Sequence, residues 1–165
     1  MSRPLERRPG FYPQPNDWTC GPFALKHALV ALGRGVDAKN IQITAKSHWW
    51  SGTDEIQLAR AAREFDCDLM LERRRDAEEA RKLLVKYLRE QTPVLLCVDD
   101  WTHWITVVRH EDRRFVVIDS ELDPVLNILT WPQLRARWRY YDRAYDKEDP
   151  PVLYDLMAVQ PRMRQ

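Results

Sequence analysis

Cys20 stands where an irregular, proline-containing stretch gives way to a helical pattern. A thiol in the first turn of a helix feels the partial positive charge of unpaired N–H groups, which favours the thiolate. The backbone N–H of the same residue is placed to hold a developing oxyanion. Gln14, six residues earlier, carries an amide that can donate a second hydrogen bond to a carbonyl oxygen under attack. Together these two residues suit nucleophilic attack on a carbonyl carbon. Cys67 and Cys97 lie inside strand-like apolar runs and read as core residues.

A nucleophilic thiol needs a base, and the base needs a group to orient it. The chain has four histidines. His27 lies two helical turns beyond Cys20, roughly 10 Å along the axis by helical rise, too far to be its partner. His48 sits in a polar loop beside Trp49 and Trp50, and His110 in a turn between two strand patterns. His103 opens the strand pattern Trp104 to Arg109, and Asp119 closes the next one, Phe115 to Ile118. A hairpin loop of three residues places His103 opposite Asp119; a loop of four places Trp104 there instead, and a bulge switches between the two. The sequence leaves that register open. An acid beside an imidazole holds its tautomer and stabilises the imidazolium. Trp101 and Trp104 flank His103 with rings that can shield such a bond from water.

The elements that must position these residues follow from periodicity. Four prolines within residues 1–19 predict an irregular lead-in, with residues 1–11 flexible. Thr19 is the expected N-cap of a helix that runs from Cys20 to the glycines at 33 and 35. A short helix is expected from Asp37 to about Lys46. A third follows Ser51-Gly52-Thr53, with Ile56, Ala59, Ala62 and Phe65 on its stripe. Cys67 to Glu72 alternates as a strand, and Asp76 to Gln91 is an amphipathic helix with an acidic start. Pro93 to Val98 reads as a central strand. Further strands are expected at 104–109, 115–118 and 125–129, then a helix from Thr130-Trp131-Pro132 to Trp138. A surface loop over 140–151 and a last strand over 153–159 complete the chain. Helices first and an antiparallel sheet second predict an α+β domain.

Composition limits the alternatives. The 165 residues suit a single domain, 1–165. Lys+Arg is 26 against Asp+Glu 25, which gives no electrostatic case for nucleic acid. Three cysteines without a CxxC pair make neither a disulfide nor a zinc framework, and no glycine-rich phosphate loop occurs, so neither a metal nor a cofactor is expected. The N-terminal residues lack the apolar core of a signal peptide, and no window approaches ~20 apolar residues, so a cytoplasmic protein without a membrane span is expected. Oligomeric state is not readable from the sequence.

The segment Gln14-Pro15-Asn16-Asp17-Trp18-Thr19-Cys20-Gly21-Pro22 resembles the nucleophile motif of the bacteriocin-processing cysteine peptidases, peptidase family C39, whose fold is papain-like. Thr102 to Val108 and Phe115 to Asp119 resemble the family's His and Asp strands, in the same order. The resemblance spans residues 12–120 and leaves 121–165 as an unmapped tail. It implies a stand-alone cysteine peptidase acting on a peptide or protein through a thioester. Cys20 would be the nucleophile, His103 the general base and then acid, Asp119 its orienting acid, and Gln14 part of the oxyanion hole. Asp123, in an Asp-Pro pair, is a second candidate for the acid. Papain-like acyl transfer through the same triad, and a non-catalytic peptide-binding module, are the alternative readings.

Overall fold

The computed structural model describes residues 10–163. Of the lead-in expected to be flexible, residues 1–9 lie outside that range. The elements run α1 (Cys20–Ala31), α2 (Ala38–Ala45), α3 (Glu55–Glu64), β1 (Cys67–Arg74), α4 (Ala77–Arg89), β2 (Val94–Val98), β3 (His103–Glu111), β4 (Arg114–Ile118), β5 (Leu126–Thr130), α5 (Trp131–Trp138), β6 (Tyr140–Tyr141) and β7 (Val152–Pro161). The fold is α+β.

All the strand pairings are antiparallel, and the main path of the sheet is β1-β7-β2-β3-β4-β5. The last strand therefore lies in the interior, paired with β1 on one side and β2 on the other. The tail that the sequence left unmapped supplies β5, α5, β6 and β7. Alternation along β2 explains the two cores. Val94, Leu96 and Val98 pack with α4 and α5, while Leu95 and Cys97 pack with α1, α2 and α3. Both faces of β2 are covered, so every residue of it is buried.

Helix ends follow local chemistry. Asp37, Asp54 and Asp76 cap α2, α3 and α4 through their carboxylates, and α3 carries a full capping box with Gln57. Thr130 and Gln133 form the same box on α5. Among the residues of α1, Cys20 through Leu29 are all buried, because the helix is wedged between the sheet and α2 and α3. The stripe of α3 differs from expectation: Leu58, Ala61 and Ala62 are buried, and Ile56 is exposed. Positions 58, 61, 62 and 65 complete an i, i+3, i+4, i+7 face, whereas every-third-residue spacing drifts off it.

The β3–β4 hairpin uses neither expected loop. His110 and Glu111 stay in the ladder opposite Phe115 and Arg114, and the turn is the two residues Asp112-Arg113, both with positive φ, 49° and 62°. A bulge at Val108 then shifts the register, so Arg109 faces Val116 but Val107 faces Val117. That one extra residue sets the parity that brings His103 and Asp119 to the same side.

Candidate active site

Cys20 begins α1 and is nearly buried, 8% exposed. Thr19 stands at the N-cap position as expected, but its hydroxyl makes no cap bond. It donates instead to Asn16 Oδ1 at 2.8 Å, and the same oxygen accepts from the Trp18 N–H. The first turn of α1 thus receives no side-chain cap. Gly21 is there because the helix end closes tightly on its surroundings: a Cβ at this position would lie 2.9 Å from Thr53 Cβ and 3.4 Å from the Trp104 ring.

His103 opens β3, 3% exposed, and Asp119 follows β4, 2% exposed. His103 Nε2 and Asp119 Oδ1 are 2.7 Å apart. Asp119 Oδ1 also accepts from the Glu121 N–H at 3.1 Å, and Oδ2 accepts from Arg137 at 3.1 Å. Arg137 in turn spans both carboxylate oxygens of Asp99, at 3.0 and 2.7 Å. His103 Nδ1 is buried and makes no hydrogen bond of regular geometry; Glu121 Oε1 approaches it to 3.4 Å. The second candidate acid, Asp123, is exposed, and the histidine pairs with Asp119.

Electrostatics follow from these contacts. Burial alone would strip the proton from His103, but the hydrogen bond with Asp119 and the neighbouring Cys20 thiol outweigh it and raise its pKa to about 9. Burial would likewise favour protonated Asp119, yet the bond from His103, with help from the Glu121 N–H and Arg137, holds it below the usual carboxylate range. Cys97 is pushed well above the ordinary thiol, chiefly by burial and next by the nearby Cys20, and burial also raises Cys67. Neither is suited to nucleophilic work.

Gln14 is fixed by the end of β4. Its backbone N–H donates to the Ser120 carbonyl at 2.8 Å, and its Oε1 accepts from the Ser120 hydroxyl at 2.6 Å. Its amide nitrogen donates to the Asn16 carbonyl. With the amide oxygen committed and one N–H used, the second N–H is left to donate elsewhere.

Ligand atoms of His103, Asp119 and Glu121 lie within 4.8 Å of one another, the spacing of a metal cluster. His103 Nε2 and Asp119 Oδ1 are spent on each other, and Asp119 Oδ2 is spent on Arg137. The group is a hydrogen-bond network more than an open ligand set.

No protein-family model and no curated protein sequence matches the chain. Solved structures do. The peptidase domain of Streptococcus ComA, a bifunctional ABC transporter involved in quorum sensing, aligns with a TM-score of 0.67 at 12% identity, over 92% of this chain and 97% of that one. A double glycine motif protease from an AMS/PCAT transporter, in complex with its leader peptide, gives 0.67 at 12% identity, over 94% and 93%. A C39-like peptidase from Bacillus anthracis gives 0.61 at 11% identity, over 96% and 98%. The chain has the C39 peptidase fold.

Within this C39 fold Cys20, Gln14, His103 and Asp119 are the candidates the sequence singled out, and it did not single out the groups that contact them. Arg137 and Asp99 join α5 and the β2–β3 turn to the acid, and only tertiary structure brings them there. Ser120, whose hydroxyl donates to Gln14 Oε1, carried no sequence signal of its own. His27, set aside on distance, accepts the Tyr12 N–H at 3.1 Å through Nε2 and latches the lead-in onto α1. Burial, with Lys26 beside it, lowers its pKa to about 4.

Proposed function

We propose that this C39-fold chain is a papain-like cysteine peptidase. The observation that carries the reading is the buried 2.7 Å bond between His103 and Asp119, next to a thiol at the start of a buried helix. Cys20 is the nucleophile and attacks the amide carbon as the thiolate. The tetrahedral oxyanion is held by the Cys20 backbone N–H and the free N–H of Gln14. His103, kept protonated by Asp119, passes its proton to the leaving amine as the C–N bond breaks, leaving a thioester. His103 then takes a proton from water, whose oxygen attacks the thioester carbonyl and releases the acid and the thiolate. Asp119 stays ionised throughout, and Arg137 anchors it.

Peptide recognition is described for one of the structural neighbours, the double glycine motif protease seen with its leader peptide. A peptide or protein substrate is therefore the class proposed here. A reducing compartment such as the cytoplasm accompanies the reading, since Cys20, Cys67 and Cys97 are all free thiols. No described helix is long and apolar enough to cross a membrane.

Peptide-library cleavage, read by mass spectrometry, tests the proposal. Cys20→Ala and His103→Ala should each lower turnover by on the order of 10³-fold or more while the circular dichroism spectrum is unchanged. Full activity in Cys20→Ala overturns the mechanism.

A further inference from the structure

A cleft of about 270 Å³ opens beside Cys20. Its walls hold Trp18, Trp49, Trp50, Trp101 and Trp104, five of the chain's seven tryptophans. Such concentration is not what a core requires: Trp49 and Trp50 are 72% and 66% exposed. They are displayed by a tight loop in which His48 and Gly52 exchange backbone hydrogen bonds at 3.2 and 2.8 Å. Within each of two pairs the indoles are inclined to one another. Trp49 and Trp50 meet at 90° with centroids 5.6 Å apart, and Trp101 and Trp104 at 63° and 6.1 Å. His48 stacks on one face of Trp50 at 4.4 Å and steadies it.

The second pair, Trp101 and Trp104, is held just as firmly. Trp104 Nε1 donates to the Thr53 carbonyl at 2.9 Å. Asp99, Asp100 and Trp101 run through three successive left-handed residues, φ 55°, 60° and 64°. None is a glycine, so this backbone is costly and is kept in place by other contacts. Arg137 clamps Asp99, Arg143 pairs with Asp100 at 3.1 Å, and Tyr140 packs against Trp101 at 5.7 Å. Asp17 is the one carboxylate among the described residues lining the cleft, and no lysine or arginine lines it.

Indole faces with a carboxylate and no basic residue attract cations. We propose that the tryptophan cleft is the subsite for a cationic side chain of the substrate, a lysine, an arginine or a methylated amine next to the bond attacked by Cys20. The proposal rests on the peptidase reading and deepens it by naming the substrate class. Cation–π contact supplies the attraction, and Asp17 selects the sign of the charge.

The test uses the full chain and four methanethiosulfonates: trimethylammonioethyl, its neutral isostere 3,3-dimethylbutyl, sulfonatoethyl and benzyl. Their rates of reaction with Cys20 are followed by intact mass and located by digestion. The readout is the ratio of the cationic to the neutral rate, divided by the same ratio for a free small thiol. The expected ratio is about tenfold above the free thiol, with the anionic reagent slowest. Trp50→Leu and Asp17→Asn, both at exposed positions, should each reduce it several-fold. A ratio equal to that of the free thiol, or one unchanged in both variants, overturns the cationic subsite and leaves the peptidase reading standing. A benzyl reagent faster than the cationic one assigns the cleft to apolar side chains and also overturns it. A Cys20 inert to every reagent overturns both.

Discussion

His27 and His103 are the same residue type in opposite environments, and the difference has measurable signs. His27 accepts a backbone N–H in a buried site and is held neutral, with a pKa of about 4. The unfolded chain binds a proton there near pH 6.5 and the folded one does not. Stability therefore falls as pH drops from 6.5 through 4, by on the order of 3 kcal/mol in total. Urea unfolding at pH 7 and pH 4.5 should show most of this loss, and His27→Gln, which keeps an acceptor for Tyr12, should remove most of the pH dependence. An equal slope in the variant would contradict it. His103 behaves in reverse. Its folded pKa is raised, so its contribution is complete below pH 6.5 and is lost as pH rises through about 9. At this scale the sequence was informative for Cys20, His103 and Asp119, whose types and order limit the chemistry. It was silent on Ser120, Arg137 and Asp99, because a supporting hydrogen bond has no spacing rule.

Elements position the site through close approaches and a register shift. Gly21 lets the end of α1 meet Thr53, so Gly21→Ala should cost about 1–3 kcal/mol by overpacking. Adding Thr53→Gly should return part of that cost in a double-mutant cycle, and strict additivity would contradict the contact. Helix α5 brings Arg137 to the acid. Arg137→Gln should release Asp119 toward ordinary carboxylate behaviour. The acid limb of the kcat/KM profile then moves to higher pH and turnover falls roughly tenfold, with Arg137→Lys recovering part of it. An unmoved acid limb would mean Arg137 only fills space. Helix starts at Asp37, Asp76 and Thr130 were legible in the sequence, whereas α3, expected to follow Ser51-Gly52-Thr53, is capped by Asp54. The hairpin was not legible, since alternation cannot reveal that Val108 is an extra residue; the bulge is visible only once β4 is laid beside β3.

For the whole molecule, the site is divided among distant parts of the chain that one sheet gathers. Strand β7, the last to emerge, is hydrogen-bonded to both β1 and β2. Removing residues 152–165 would expose those two edges and open both cores, so the truncated chain should lose its cooperative thermal transition. A sharp transition in the truncated chain would show that the sheet closes without β7. The mixed α+β character was legible from periodicity alone. Strand order was not: nothing local in Leu153 to Val159 says that it lies inside the sheet, because non-local pairing leaves no local signature. The tryptophans behave similarly. Trp49 and Trp50 looked like a loop, and the cleft exists only where that loop meets the turn before β3.

The pairing of Cys20 with His103 is the claim on which the account depends. The rate of Cys20 carbamidomethylation by iodoacetamide, measured against pH in the wild type and in His103→Ala, tests it most directly. The account predicts a Cys20 that reacts roughly tenfold or more faster than a free thiol near neutral pH, with the advantage lost in His103→Ala. A Cys20 no faster than a free thiol, or one indifferent to His103, would contradict it.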